Sequence, residues 1–182
     1  MTLDLQAVLS TAKTLGREAG ATLMSHFKNP LITHTKSSSY DIVTQADAEA
    51  EALILSALAK SYPTHHRIAE ESGESGVQAD YHWVIDPLDG TVNFAHGLPI
   101  FSVSIALADA NLNPLVGVVY DPVADELFSA VRGGGAFLND QPIHVSRAIT
   151  LGESLLASGF PYDKSTDPDN NLNQWGKFLI EA

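Results

Sequence analysis

The sequence predicts an α+β fold, because two amphipathic helical segments come before a run of strand-like segments instead of alternating with them. Apolar residues recur every three or four positions over residues 5–27, and Pro30 follows the last of them. Thr44 has the hydroxyl of a helix N-cap and Asp47 lies three residues later, so a second helix is expected from there to about Tyr62. The order helix, helix, strands is the basis of this fold-class prediction.

The remaining segments alternate between apolar strand patterns and turn residues. Strands are expected at residues 66–69, 83–85, 101–107, 115–120, 126–131 and 155–158, the last as the first strand of a new unit. Residues 73–76 are expected to form a mobile loop, residues 111–114 a hairpin turn, and residues 172–180 a helix.

Composition and charge disfavour several classes of protein. The chain has 182 residues, 45% of them hydrophobic, and a mean hydropathy of +0.02, and no apolar run approaches the roughly 18 residues that a membrane span needs. The formal net charge of −12 disfavours nucleic acid as a direct ligand, and the first residues do not have the pattern of a secretory signal. Because there is no cysteine, disulfides, zinc–thiolate sites and cysteine nucleophiles are excluded, which favours a cytoplasmic location.

Two carboxylates at the end of an apolar strand are the strongest chemical signal in the chain. Asp86 follows the strand pattern at residues 83–85, Pro87 is expected to end that strand, and Asp89 comes just before Gly90. Two neighbouring acids repel each other unless a cation lies between them, and Mg2+ prefers carboxylate oxygens supplemented by water and phosphate. The same residues are also typical of a simple surface turn, so this motif alone leaves both interpretations open.

The spacing of the two aspartates bears on another enzyme class. Haloacid-dehalogenase-type phosphatases carry a D-x-D-G-T motif with one residue between the aspartates, whereas Pro87 and Leu88 place two residues between them here. That motif also usually lies on the first strand, near the N-terminus. Both differences disfavour this class.

Three sequence motifs, taken in order, resemble those of the inositol monophosphatase family. The chain has D-I-V-T-Q-A-D at residues 41–47, I-A-E-E-S-G at residues 68–73 and W-V-I-D-P-L-D-G-T-V-N-F at residues 83–94. Residues 117–122 and 157–162 are also similar to bacterial members of the family. The resemblance covers essentially the whole chain, and it favours the metal-site interpretation of the aspartate motif over a simple turn.

The resemblance implies a magnesium site. Its ligands are the side chains of Glu70, Asp86 and Asp89 and the main-chain carbonyl of Leu88. Glu70 and Asp86 are expected to hold a first ion, and Asp86 and Asp89 a second. Glu71 is expected to support the site through hydrogen bonds without binding metal. The cofactor expected from the resemblance is Mg2+, and sensitivity to lithium is expected with it.

The resemblance also implies roles in orienting water and binding phosphate. The catalytic residues so implied are Asp47, Thr91 and Glu70, and the substrate-binding residues are Asp89, Gly90, Thr91 and Lys36. Thr91 and Asp47 are expected to orient the attacking water, while Gly90 and Thr91 offer backbone N–H groups to the phosphate. Two of these residues have simpler interpretations: Asp47 as a first-turn acid favoured by the helix dipole, and Lys36 as a solvated charge.

The family resemblance implies a layered α/β/α/β/α sugar-phosphatase fold. Residues 1–150 are expected to form an N-terminal α+β metal-binding domain with an antiparallel sheet, and residues 151–182 the start of a truncated C-terminal α/β domain. Members of the family place one more metal-binding aspartate in a W-D-x-A-A-G motif beyond the last residue of this chain, and Trp175 has no aspartate beside it. The chain is therefore expected to hold one metal site and half of another, with weak hydrolysis or none.

The function so implied is magnesium-dependent hydrolysis of a phosphate monoester, with inositol 1-phosphate as the leading substrate and in-line attack by a metal-activated water. The expected partners are a small phosphorylated polyol and a second copy of the chain, with no membrane and no direct nucleic acid. Three alternatives stay open. They are a related fructose-bisphosphatase or nucleotide phosphatase, a regulatory scaffold that acts in transcription antitermination through protein partners, and a truncated chain without function.

Overall fold

The structure confirms the predicted α+β class. The computed structural model describes residues 3–28, 32–35, 42–77, 79–160 and 166–181. Its helices are α1 (Leu5–His26), α2 (Gln45–Ser61), α3 (Thr91–Ala95) and α4 (Leu172–Glu181), with a short 3-10 turn at Leu151–Glu153. Its strands are β1 (Ile32–Thr35), β2 (Ile42–Thr44), β3 (His66–Ala69), β4 (Gly73–Ser75), β5 (Tyr81–Asp89), β6 (Ser102–Asp109), β7 (Pro114–Asp121), β8 (Glu126–Val131), β9 (Gly135–Leu138) and β10 (Gln141–Ile143).

One large sheet organises the structure. Within the described residues it has eight strands in the order β10-β9-β8-β7-β6-β5-β3-β4, while β1 and β2 form a separate antiparallel pair. Neighbouring strands of the large sheet run antiparallel, except that β3 and β5 run parallel. The carboxyl ends of β3 and β5 therefore lie side by side at one edge of the sheet.

Helices α1 and α2 pack on the sheet and form the core with it. Their buried residues recur every three or four positions, as predicted: Val8, Ala12, Leu15, Ala19 and Leu23 on α1, and Ala46, Ala50, Ile54 and Leu58 on α2. The Asp4 side chain caps α1 by accepting hydrogen bonds from the N–H groups of Gln6 and Ala7. A Cβ atom at Gly20 would lie only 2.6 Å from the Tyr120 ring of β7, so the close packing of α1 on the sheet requires glycine there.

Two parts of the sheet differ from the predicted pattern. The expectation of a loop at residues 73–76 is wrong, because residues 73–75 form β4, which pairs with β3. The expectation that Pro87 ends its strand is also wrong, because β5 continues to Asp89. From Asp86 to Asp89 the strand advances three residues while its partner β6 advances two. Pro87 thus lies in a bulge, where a residue without an N–H group is tolerated.

The segment from residue 151 onward contributes little to the core. The helix α4 confirms the predicted helix at residues 172–180, but the expected strand at residues 155–158 is wrong. A strand needs a neighbour for its backbone groups, and no described strand pairs with this segment, in which Leu155 is fully exposed. The proposed domain boundary at residue 150 stays a prediction. In the part of the chain that the structure describes, no helix is long and apolar enough to cross a membrane.

Candidate metal and phosphate site

The parallel pairing of β3 and β5 brings two predicted metal ligands together. Ala69 of β3 is in register with Ile85 of β5, so Glu70 and Asp86 occupy the next position on each of two neighbouring strands. The N–H group of Glu70 donates to the carbonyl of Ile85 at 3.1 Å, which fixes the Glu70 backbone against β5. Two acids that are well separated in the sequence are therefore neighbours at the sheet edge.

The carboxyl group of Asp86 is half-buried among other acids. Its pKa is raised from 3.8 to about 8, first by burial, then by a hydrogen bond with Glu70 and by the negative charges of Glu70 and Asp89. The N–H group of Leu88 donates to Asp86 Oδ1 at 3.1 Å, and this bond opposes the rise. Without a cation, burial and the neighbouring acids therefore favour the protonated form of the Asp86 carboxyl.

The acids around Asp86 fit a divalent cation by the chemistry of their donor atoms. Glu70, Asp86 and Asp89 all supply carboxylate oxygens, which Mg2+ prefers, and a cation among them would remove the repulsion that raises the pKa of Asp86. Within the described ranges, no three acidic or histidine side chains already surround a common point as a preformed metal site. The side chains of Glu70 and Asp86 instead interact with each other in a way that raises the pKa of Asp86, so a bound cation would displace a proton from this pair.

A second group of predicted residues is held by hydrogen bonds. Asp47, in the first turn of α2, is 1% exposed, and its Oδ2 accepts from both the N–H group of Thr44, at 2.8 Å, and the Thr44 hydroxyl. The Thr91 hydroxyl lies 3.2 Å from Asp47 Oδ1 and 2.9 Å from the carbonyl of Leu88. Because it has one proton, it donates to one of these acceptors at a time. Burial raises the pKa of Asp47, and the bonds from Thr44 and Thr91 partly offset that rise.

The backbone of Leu88 connects the two groups. Its N–H group donates to Asp86, and its carbonyl accepts from the Thr91 hydroxyl. A carbonyl oxygen has two lone pairs, so this hydrogen bond leaves one of them for a cation. The structure therefore links Asp86, Leu88, Thr91 and Asp47 in one network, with Glu70 beside Asp86. Asp89 is exposed and acts on Asp86 through its charge, and the roles of all these residues stay predictions.

The turn between β5 and α3 depends on Gly90. Its φ of +98° is in the left-handed region, and a Cβ atom there would lie 3.0 Å from the carbonyl oxygen of Ile100. Both the backbone conformation and the close approach therefore disfavour any larger residue. The turn places Thr91 at the start of α3, within hydrogen-bond distance of Asp47.

One buried acid was missed by the motif reasoning, and one predicted residue falls outside the structure. Glu51 of α2 is 4% exposed and lies one helical turn after Asp47, on the apolar face of the helix. Its two carboxylate oxygens accept hydrogen bonds from the N–H groups of Glu71, at 2.9 Å, and Ser72, at 3.0 Å. An acid on the apolar face of a helix was the available signal. Lys36 lies outside the described residues, so its role stays a prediction.

Comparison with known proteins identifies a protein family and relatives that the chain is similar to. The sequence profile described as the inositol monophosphatase family matches residues 4–178. A Synechocystis sp. protein named inositol-1-monophosphatase is 45% identical over 173 residues, which are 94% of this chain and 60% of that protein. The Escherichia coli protein named Nus factor SuhB is 41% identical over 180 residues, which are 98% of this chain and 67% of that protein.

A solved structure of a protein named inositol monophosphatase is similar in fold to this chain. The structure of inositol monophosphatase from Anabaena (Nostoc) sp. matches with a TM-score of 0.85 and 40% identity, over 98% of this chain and 65% of the other. This match confirms the predicted layered α+β fold. The chain spans from 60% to 67% of the length of these three relatives.

Proposed function

We propose that this protein hydrolyses a phosphate monoester with Mg2+ as cofactor, because the chain belongs to the inositol monophosphatase family. The proposed substrate is inositol 1-phosphate, and the products are inositol and inorganic phosphate. The 45% identity to a protein named inositol-1-monophosphatase supports this substrate. A cytoplasmic location and a homodimer are proposed with it, from the family resemblance and the absence of cysteine.

A single observation carries the proposal: the acids around Asp86 adjoin the Thr91 hydroxyl, which hydrogen-bonds to the buried Asp47. The raised pKa of Asp86 reflects first its burial, and then the hydrogen bond with Glu70 and the charges of Glu70 and Asp89 beside it. Through the backbone of Leu88, the same acid is linked to the pair of Thr91 and Asp47. Cation binding and water orientation at adjacent positions are the two requirements of metal-assisted phosphate hydrolysis.

The proposed metal ligands are Glu70, Asp86, Asp89 and the carbonyl of Leu88. When bound to these residues, Mg2+ would supply positive charge that stabilises the phosphoryl group and the attacking and leaving oxygens. The protein contributes the arrangement of donor atoms, because β3 and β5 hold Glu70 and Asp86 at adjacent strand ends. Proton loss from the Glu70–Asp86 pair accompanies cation binding in this proposal, since only the charged forms are good ligands.

The remaining predicted residues are proposed to act on water and phosphate. The Thr91 hydroxyl, when it donates to Leu88 or Asp47, presents a lone pair that accepts a hydrogen bond from the attacking water. The water oxygen forms a bond to phosphorus and the ester P–O bond breaks; of the two hydrogens of the water, one ends on the departing alcohol oxygen and the other on the inorganic phosphate. The N–H groups of Gly90 and Thr91 and the ammonium group of Lys36 are proposed to contact the phosphate oxygens.

The proposal is tested by phosphate release from inositol 1-phosphate with MgCl2. Two proteins should be assayed. One is the 182-residue chain, and the other is a chimera in which residues 1–178 are joined to the remaining C-terminal part of the Synechocystis relative. Release in the chimera should disappear with EDTA and with Asp86→Asn, and LiCl should inhibit it. Fructose 1,6-bisphosphate and nucleotide 3′-phosphates serve as competing substrates. The control is Glu126→Gln, an exposed acid at the start of β8, which should leave the rate unchanged.

Two results would overturn this function. One is a folded chimera that binds Mg2+ and releases no phosphate from any of these esters. The other is phosphate release that continues unchanged in EDTA, because the acidic group would then have no catalytic cation. Preference for a bisphosphate or a nucleotide would keep the reaction class and replace the substrate.

A second function is supported by the relative named Nus factor SuhB, to which this chain is 41% identical. In this alternative, the fold acts as a scaffold for protein partners in transcription antitermination. Partner binding would then not depend on the cation, so Asp86→Asn should retain activity in an antitermination assay while phosphate release is lost. Loss of both activities in this variant would argue against an independent scaffold role.

A further inference from the structure

We infer that Glu51 is a positioning residue for the metal site, because its buried carboxylate holds the turn that presents Glu70. The inference rests on the proposed function, in which Glu70 is a ligand of Mg2+. Glu51 hydrogen-bonds to backbone N–H groups beyond Glu70, so its effect on a cation is transmitted through the backbone. It adds a fifth residue to the four that the motifs assign to the metal site.

The turn after β3 is held from two sides. The N–H group of Glu70 donates to the carbonyl of Ile85 on β5, at 3.1 Å. The next two N–H groups, of Glu71 and Ser72, donate to the two oxygens of Glu51 on α2. Three successive backbone donors are therefore fixed, one by the sheet and two by a single side chain. The direction in which Glu70 leaves the backbone is consequently set by β5 and by Glu51 together.

The burial of Glu51 is costly unless these two bonds compensate for it. The side chain is 4% exposed, and none of the ion pairs found among the described residues includes it. Burying a carboxylate without partners is strongly unfavourable, whereas bonds from backbone N–H groups to a charged oxygen are among the strong hydrogen bonds. An apolar residue on this helix face would pack without that cost but would leave both N–H groups without an acceptor.

One turn of α2 serves both parts of the site. Asp47 and Glu51 are four residues apart, so they lie on the same face of the helix. Asp47 contacts Thr91, and Glu51 contacts the backbone just after Glu70. The rigid helix therefore sets the position of the water-orienting hydroxyl relative to the turn that carries the proposed ligand. Moving either contact should change the geometry of the whole site.

The test uses two substitutions of Glu51 in the 182-residue chain. Glu51→Gln keeps the shape but has one acceptor oxygen, so one N–H group loses its partner. Glu51→Asp keeps the negative charge but shortens the side chain by one methylene group, so both oxygens move away from the N–H groups of Glu71 and Ser72. If the residue acts by position, both variants should weaken binding of Mn2+, measured from the loss of the free-ion EPR signal, with Mg2+ as competitor. A weakening of about 10- to 100-fold is expected, as for other residues that orient metal ligands.

Two matched controls separate position from charge and from stability. Glu49→Gln removes the same charge from an exposed position on the same helix and should leave Mn2+ affinity unchanged. Ile54→Val removes a buried methyl group from the same helix face, so it should lower the unfolding midpoint without changing Mn2+ affinity. Amide hydrogen exchange in the metal-free protein gives an independent measurement. Exchange at Glu71 and Ser72 should accelerate in both Glu51 variants.

Each outcome supports or overturns the inference. Weaker Mn2+ binding in both Glu51 variants, with faster exchange at the two amides and normal controls, supports it. Wild-type affinity in Glu51→Asp together with weak binding in Glu51→Gln overturns it in favour of a simple charge effect. Wild-type affinity in both variants overturns it while the proposed function stands. If the wild-type chain binds neither Mn2+ nor Mg2+, the proposed metal site and this inference both fall.

Discussion

The candidate site has two halves, one around Asp47 and one around Asp86. The acid in the first half accepts hydrogen bonds from neighbouring donors, whereas the acid in the second half has other acids beside it. Asp47 is almost completely buried, yet hydrogen bonds from Thr44 and Thr91 reach both of its oxygens. Asp86 is less buried, but its neighbours Glu70 and Asp89 are acids, and its pKa is raised to about 8 as a result of burial and of these neighbours. The first half is organised by hydrogen-bond donors of the protein, whereas in the second half the charges that raise the pKa of Asp86 are those of other acids.

This difference indicates which half depends on a ligand. Hydrogen bonds that are complete within the protein stabilise the fold and fix geometry before any ligand binds. Repulsion among neighbouring carboxylates destabilises the fold until a cation or a proton removes it. Substitutions in the Asp47 half should therefore lower stability, whereas neutralising Asp86 should raise the stability of the metal-free protein and abolish metal-dependent activity.

The largest expected effect is the loss of activity in Asp86→Asn. Removing a residue that only supports a metal ligand costs about 10- to 100-fold, so loss of a shared ligand should lower magnesium-dependent phosphate release by more than about 100-fold. The measurement is initial rate against MgCl2 concentration in the chimera that carries the C-terminal part of the Synechocystis relative. A rate within a few-fold of wild type would remove Asp86 from the metal site.

The next effect is a pH dependence of stability in the metal-free protein. The folded-state pKa of Asp86, about 8, lies above the ordinary value of 3.8, so the folded state binds the proton more tightly than the unfolded state. The resulting stabilisation is present below about pH 4 and is lost as pH rises to about 8.

This pH effect is measured by urea unfolding in EDTA, and Asp86→Asn is the comparison that isolates it. In that variant, the part of the slope due to residue 86 should be absent, so the variant should be the more stable chain at pH 8. The two chains should converge towards pH 4. Saturating MgCl2 should remove most of the difference at pH 8. Parallel slopes in EDTA would show that Asp86 carries no such penalty.

A stability loss is expected in the other half for Asp47→Ala. The variant leaves the N–H group and hydroxyl of Thr44, which is fully buried, without their acceptor. Unfolding free energy should fall by about 1–3 kcal/mol. Asp47→Asn should cost less, because its amide oxygen still accepts from Thr44. A gain of stability in Asp47→Ala, as is expected for Asp86→Asn, would contradict the distinction between the two halves.

The smallest expected effect concerns the turn that joins the halves. Gly90→Ala forces a left-handed backbone on a residue with a Cβ atom and places that atom 3.0 Å from the carbonyl of Ile100. The left-handed backbone alone should lower the free energy of unfolding of Gly90→Ala by about 1–2 kcal/mol. Gly97→Ala is a matched control, because Gly97 has a φ of +73° and open space around the position of its Cβ atom. A larger fall of the unfolding midpoint in Gly90→Ala would measure the close approach alone.

Much of the fold could be predicted from the sequence, because local patterns determine the helices and most of the strands. The apolar periodicity of residues 5–27 predicts α1, and residues 126–131 match β8 at both ends. Errors occurred where pairing decides the structure. Residues 73–75 are polar and glycine-containing but pair with β3, whereas residues 155–158 are apolar but have no described neighbour to pair with. Backbone pairing is a property of two segments, and a single segment does not encode it.

The candidate site shows the same division. The end of an apolar strand singled out Asp86 and Asp89, whereas Glu70 and the ligand roles of all three came from the resemblance to the family motifs. Neither signal singled out Glu51, whose importance comes from contacts with a turn twenty positions away. The position of Glu51 on the apolar face of α2 was a local signal of burial, but helical spacing does not tell which backbone groups a buried acid contacts.

By itself, the sequence determined the fold class, the family and the types of donor atoms, since composition, periodicity and motif spacing are all properties of the linear chain. Only the tertiary structure decided which donors meet. The parallel register of β3 and β5 sets Glu70 beside Asp86, and packing of α2 against the sheet brings Asp47 to Thr91 and Glu51 to the turn after β3. Both depend on long-range pairing and burial, through which distant residues alter the pKa and the geometry of each other.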